Sequence, residues 1–423
     1  MKFNKKIWSW SFYDWANSAF STTVVAGFFP IFFEKYWSDP ENVIQSTFQL
    51  GLANSISSIF VALISPFLGA IADRGSKRKK FLITFAFLGI LMTGSLFFLS
   101  QGDWKLAIFI YVMASIGFMC GNIFYDSILP SISKKNDIDF ISSFGYALGY
   151  LGGGLLFLIN VLMYLFPEKF GLDSQVLAIK VSFVLVAVWW FVFSIPIFIL
   201  IPEIKVKNSL PLLRAIKEGY SQIKTTFNQI RKMKTIGLFL ISYWLYIDGV
   251  DTIIKMAVKM GSSIGFETAD LITALLMVQF IAFPSSVVYS WFSKKVGVKN
   301  AVLVAIFGYG LATFLGYFMQ NRFHFFCLAA IIGLFQGGIQ ALSRSLFTRL
   351  IPPNREAEFF GFYNMLGKFA SVIGPLLMGW VTLLTGNVRI GILSVLLLFI
   401  SGGVLLVKVD FKKGEKEALN FDI

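Results

Sequence analysis

A chain of 423 residues with 56% hydrophobic and only 14% charged residues, and a mean hydropathy of +0.73, is too apolar to fold as a water-soluble globule. Its 48 Phe cover lipid-facing surface without adding polar groups that need partners. The net charge of +14 would suit a nucleic-acid partner on a soluble surface, but the placement of the basic residues excludes that reading.

A helix needs roughly 20 apolar residues to cross a bilayer, and such runs recur along the chain. The first, Ile7 to Phe33, is too long for a signal peptide core and carries Asp14, so it reads as an uncleaved span. The expected spans then follow as Phe48 to Ala72, Phe81 to Leu99, Leu106 to Leu129, Ser142 to Phe166 and Val181 to Ile201. After a hydrophilic stretch come Ile236 to Ala257, Thr268 to Phe292, Ala301 to Met319, Phe325 to Leu342, Phe359 to Leu384 and Ile390 to Val407. The expected division is a six-helix bundle over 1–201, a connector over 202–235, a second bundle over 236–407 and a tail over 408–423. With the N-terminus inside, 28 of the 37 Lys and Arg fall in inside segments, eight of them in the connector. That bias predicts cytoplasmic termini and a multi-pass protein of the cell membrane, with basic residues meeting anionic lipid rather than nucleic acid.

The halves repeat. Gly117, Gly121, Ile123, Phe144 and Gly145 recur at a constant offset as Gly333, Gly337, Ile339, Phe360 and Gly361. Asp14-Trp15-Ala16-Asn17-Ser18 on the first helix is echoed by Asp248-Gly249-Val250-Asp251-Thr252 on the seventh. Duplicated six-helix halves are an architecture of alternating-access transporters with a midplane site.

The loop after the second span reads Gly69-Ala70-Ile71-Ala72-Asp73-Arg74-Gly75-Ser76-Lys77-Arg78. It resembles the signature of the major facilitator superfamily, with a glycine one position early. The resemblance implies a cytoplasmic latch between the halves built from Gly69, Asp73, Arg74, Lys77 and Arg78, with Arg344 placed in the same group. The equivalent loop of the second half, Ser293 to Lys299, has no acid, so a latch there would be degenerate. Ser11 to Phe20, Gly145 to Gly154, Gly337 to Ser345, Phe359 to Tyr363 and Gly367-Lys368 together resemble the vacuole-effluxer-like branch of that superfamily, over nearly the whole chain. The eukaryotic founders of that branch export amino acids from the vacuole. The resemblance implies an all-α membrane protein of about twelve transmembrane helices in the major facilitator fold, two pseudo-symmetric bundles around a cavity lined by helices one, four, seven and ten.

Ionisable groups inside a span are costly and mark cavities or partners. Asp14, Asn17, Ser18 and Ser21 share one face of the first helix, and Asp248, Asp251, Thr252 and Lys255 repeat that spacing on the seventh. Asn122 and Asp126 on the fourth helix, and Gln336 and Gln340 on the tenth, complete four polar stripes; Lys368 lies deep in the eleventh. Bland readings stand beside these. Asp14 and Asp126 could cap helices or meet loop cations, Asp251 and Lys255 could neutralise each other, and Asp248 could pair with Lys368. Among functional readings, Asp248 is the expected coupling carboxylate.

No nucleotide-binding or zinc motif is present, Cys120 and Cys327 have no metal or disulfide spacing, and the sole His324 sits at an outer helix end, so no cofactor and no enzymatic activity are expected. The expected function is secondary transport of a small polar solute, an amino acid or small peptide, with efflux and a coupling proton or cation in view. The competing readings are export of amphipathic cations or drugs, and a sensor or receptor that kept the fold without turnover.

Overall fold

The computed structural model describes residues 4–39, 41–204, 210–211, 214–219, 226, 233–263 and 266–420. Most of the polybasic connector therefore lies outside the described residues. Among those described, twelve helices are long and apolar enough to cross a bilayer. They are α1 Lys5–Trp37, α2 Gln45–Gly75, α3 Arg78–Phe98, α4 Trp104–Ile132, α5 Ile138–Leu165, α6 Gln175–Leu200, α7 Lys234–Ile254, α8 Ala269–Val296, α9 Val298–Tyr317, α10 Arg322–Thr348, α11 Glu356–Thr385 and α12 Val388–Lys408. A short amphipathic helix, α13 (Phe411–Leu419), follows. Every apolar run found in the sequence becomes one helix. Several start earlier than the run does, because polar N-caps such as Asn4, Ser174 and Asn321 supply the first turn.

One span is irregular. From Phe20 to Phe28, and again from Phe33 to Trp37, α1 winds with i→i+5 hydrogen bonds, a wide turn that is rare and often found at functional sites.

Within the first half α1 packs on α5 and α6, and α3 on α4 and α6; within the second, α7 packs on α12 and α10 on α8 and α9. The halves meet chiefly where α2 crosses α11 and α5 crosses α8, with further contacts of α5 on α10 and α4 on α11. Glycine makes the α1–α5 contact close: a Cβ on Gly152 would lie 2.6 Å from the Trp15 carbonyl oxygen. With twelve passes, the chain enters α1 and leaves α12 at one end of the bundle, hereafter the latched end.

Candidate functional site

At the latched end α2 stops at Gly75, Ser76 takes a left-handed conformation (φ 49°), and α3 starts at Arg78. This tight reversal swings Arg78 back under Asp73, and its Nε donates to Asp73 Oδ1 at 2.6 Å. The other face of the guanidinium donates to Glu356 of α11. Asp73 also accepts the Ala357 and Glu358 backbone N–H groups, at 3.2 and 2.9 Å. A carboxylate from α2 thus fills the anion-binding N-terminus of α11. Gly69, one turn earlier, lies against the Ala357 carbonyl and Glu358 Cα. Arg74 is exposed, and its carbonyl accepts from Leu210 N–H; Arg78 bridges the halves through Glu356. Lys77 is half-buried beside Gly75.

Further charged pairs join the two halves at this end, outside the 293–299 loop. Asp139, at the start of α5, accepts two hydrogen bonds from Arg349, just past the end of α10, at 2.9 and 2.7 Å, and one from Ser345 of α10. Lys135 reaches Glu415 of α13 at 2.6 Å. No local pattern announced these pairs, whose partners lie more than 200 residues apart in the chain.

Above this layer lies a cavity of about 320 Å3, within the size range of small-molecule sites. Of the residues expected from the sequence, Asp14, Asn17, Asn122, Asp126, Asp251, Gln336, Gln340 and Lys368 line it, joined by Arg344. At about 1.5 Å per residue, Asn17, Gln336 and Lys368 stand roughly 18 Å from the latched ends of their helices, near mid-bilayer. The polar groups are cross-linked: Asn17 donates to Asn122 (2.6 Å), Tyr125 to Asp14 (3.1 Å) and Tyr150 to Gln340 (2.7 Å). At the far side Gln279 of α8 donates to Thr22 of α1 at 3.3 Å, tying the halves again. Gln336 Oε1 is buried and accepts no hydrogen bond from a described residue.

Asp14 and Asp126 do not meet loop cations. They face Arg344, whose Nη1 donates to Asp126 at 2.9 Å and stands 3.9 Å from Asp14. Asp248 lies elsewhere. It is buried outside the cavity lining, where its Oδ1 accepts the Gly374 N–H (2.9 Å) and the Thr252 hydroxyl (3.3 Å). Gly374 precedes Pro375 inside α11, so this carboxylate ties α7 to α11 beside a proline. The Lys255 side chain lies outside the described residues.

The sequence reading missed the walls supplied by α5 and α8, and of α11 it named only Lys368; it also missed five tyrosines, Tyr125 on α4, Tyr146 and Tyr150 on α5, Tyr243 on α7 and Tyr363 on α11. Tyr243 and Tyr363 stack across α7 and α11 at 4.1 Å. The spacing of Tyr146 and Tyr150 at i, i+4 on a glycine-rich helix was the available signal.

Three comparisons bear on identity. The vacuole effluxer Atg22-like family model matches residues 44–419. An MFS-type transporter of Bacillus subtilis strain 168, YxiO, is 35% identical, with 96% of this chain and 95% of that protein covered. Autophagy-related protein 22 of Yarrowia lipolytica is 25% identical over 86% of this chain and 76% of its own. Among solved structures, the proton:xylose symporter XylE shares the fold at a TM-score of 0.72 and 13% identity, covering 98% of this chain and 97% of XylE. The human organic anion transporter MFSD10 does so at 0.71 and 13%, covering 95% and 99%. At such identity they speak for the fold alone. With its twelve spans, its central polar cavity and a family match over most of its length, the chain belongs to the vacuole effluxer Atg22-like family of the major facilitator superfamily.

Proposed function

We propose that this secondary transporter exports a zwitterionic solute, an amino acid or small peptide, across the cell membrane, coupled to a proton. Alternation then takes place between halves 1–201 and 236–407, joined by connector 202–235, with the latched end and tail 408–423 cytoplasmic. One observation carries the substrate class: a mid-bilayer cavity holds carboxylates and the Lys368 ammonium within the same 320 Å3. An ammonium on the solute would meet Asp251, and its carboxylate Lys368; Gln336 Oε1 offers a further acceptor. We assign Asp248 to holding α7 against α11 rather than to coupling.

Thermal-shift screening of the detergent-purified protein tests this, since a ligand bound to the native state raises its apparent stability. Amino acids or dipeptides are expected to raise the melting temperature of the wild type and to lose that effect in Lys368→Met. Asp248→Asn, which keeps an acceptor for Gly374 N–H, should retain the ligand shift; its loss there would restore Asp248 to the site. The tyrosine-rich wall favours one second reading, export of amphipathic cations, because aromatic faces attract cations. Stabilisation by lipophilic cations alone, unchanged in Lys368→Met, would establish that reading instead.

A further inference from the structure

Arg344 belongs to α10, in the second half, yet the described partners of its guanidinium all belong to the first. Nη2 donates to the Ser142 carbonyl (2.9 Å), Nε to the Ser142 hydroxyl (3.0 Å) and Nη1 to Asp126 (2.9 Å), with Asp14 at 3.9 Å. The rings of Tyr146, Trp10 and Tyr125 surround the same group at 4.2, 4.9 and 5.5 Å. The residue is 2% exposed. The first half therefore owns a finished cation site of two carboxylates, a carbonyl and three aromatic faces, and the second half plugs it with a tethered cation.

Alternating access, on which this inference rests, makes that plug withdraw. When the latched end parts, Arg344 leaves with α10, while Asp14 and Asp126 stay with α1 and α4. Two carboxylates deprived of their guanidinium in a partly dry site need another positive charge in its place. We propose that a proton is that charge, so that Arg344 and a proton occupy the Asp14–Asp126 site by turns. The proton adds from water to a carboxylate oxygen as the plug withdraws and returns to water when Arg344 comes back. Arg344 keeps its own proton throughout.

Besides Arg344, those nearest this pair among the described residues include phenols and an amide. Tyr13 of α1, Tyr125 of α4 and Tyr146 of α5 present phenol rings to it. From α11 the neighbour of Asp126 is Asn364, with Lys368 one turn further along the cavity wall, and Asp251 of α7 lines the cavity more distantly.

The sign of the pH response follows. In the wild type Arg344 favours the ionised carboxylates when the latched end is closed and the open form takes up the proton, so acid favours opening. In Arg344→Gln the closed form buries the carboxylates more deeply than the open form does, with no guanidinium to offset them, so it holds the proton more tightly than the open form. Acid then favours closure. The other latched-end pairs, Asp73–Arg78–Glu356, Asp139–Arg349 and Lys135–Glu415, are untouched by the substitution and cannot reverse the sign.

The experiment places spin labels at the exposed positions Asn136 and Lys295, after Cys120 and Cys327 are replaced by alanine, and measures their separation from pH 5 to 8 by pulsed dipolar spectroscopy. The logarithm of the open-to-closed ratio is expected to rise by up to about one per pH unit on acidification in the wild type and to fall in Arg344→Gln. Arg344→Lys should keep the wild-type sign. Asp14→Asn with Asp126→Asn should leave Arg344→Gln no further effect on the slope. A wild-type sign in Arg344→Gln would overturn the exchange while leaving alternation intact. Distances that never respond, in any variant or with solute, would overturn alternation itself.

Discussion

Asp73→Ala is expected to open the latched end in most molecules. The substitution leaves the Ala357 and Glu358 N–H groups and one edge of Arg78 buried without their acceptor, and Glu356 remains for Arg78 alone. Removing one partner of a buried, hydrogen-bonded ion pair costs roughly 3 to 5 kcal/mol. With Glu356 retained the lower end applies, and about 3 kcal/mol changes the closed-to-open ratio more than a hundredfold. The cost falls only on the closed form, because once the halves part these groups face water. Turnover should therefore drop while ligand-induced thermal stabilisation persists. The same spin-label pair reads the populations; an unchanged distance distribution in Asp73→Ala would remove the latch role from Asp73.

The second large effect is expected at Gly69, whose missing side chain lets α2 and α11 touch. A Cβ there would lie 2.7 Å from Glu358 Cα and closer still to the Ala357 carbonyl. Both are backbone atoms that cannot turn aside, so Gly69→Val must push the helices apart by about an ångström or more. Overpacking alone costs about 1 to 3 kcal/mol, and the displacement also stretches both Asp73 bonds to α11. The closed form should lose at least as much as in Asp73→Ala. The double variant should be much less than additive, since either change destroys the same contacts. Additive effects in that cycle would mean that Gly69 and Asp73 act separately.

Much of this was legible in the chain. Twelve apolar runs became twelve helices because a bilayer leaves the backbone no other way to satisfy itself. The spacing of Gly69 and Asp73 marked one helix crossing, where both residues meet the start of α11. Arg74 and Arg78 could not be distinguished so easily: only the left-handed turn at Ser76 decides which guanidinium folds back under Asp73. Glu356, Asp139 and Arg349 carried no local signature, being charges near helix ends whose meaning comes from the opposite half.

Asp248 shows the limit of periodicity. It sits three residues from Asp251, about 60° apart on a helix, and a stripe read from spacing includes both. That angle suffices to send Asp251 into the cavity and Asp248 into the α11 interface. The tyrosines were masked by composition, since a chain with 48 Phe gives aromatic residues no contrast.

The wide turns of α1 separate two parts of one span that ordinary helical arithmetic would treat as a single face. Before them stand Asp14, Asn17 and Ser18, lining the cavity; after or within them stand Phe28, Phe29, Phe32 and Phe33, all buried. Each slip of hydrogen bonding from i→i+5 to i→i+4 changes the residue count per turn and screws everything beyond it round by about 100°. The outer third of α1 can thus be re-aimed like a swivel without disturbing the aspartate below, whereas its counterpart α7, described as an uninterrupted α-helix, has no such joint. Removing one residue between Phe20 and Phe28 would transfer that screw rotation into the sequence itself.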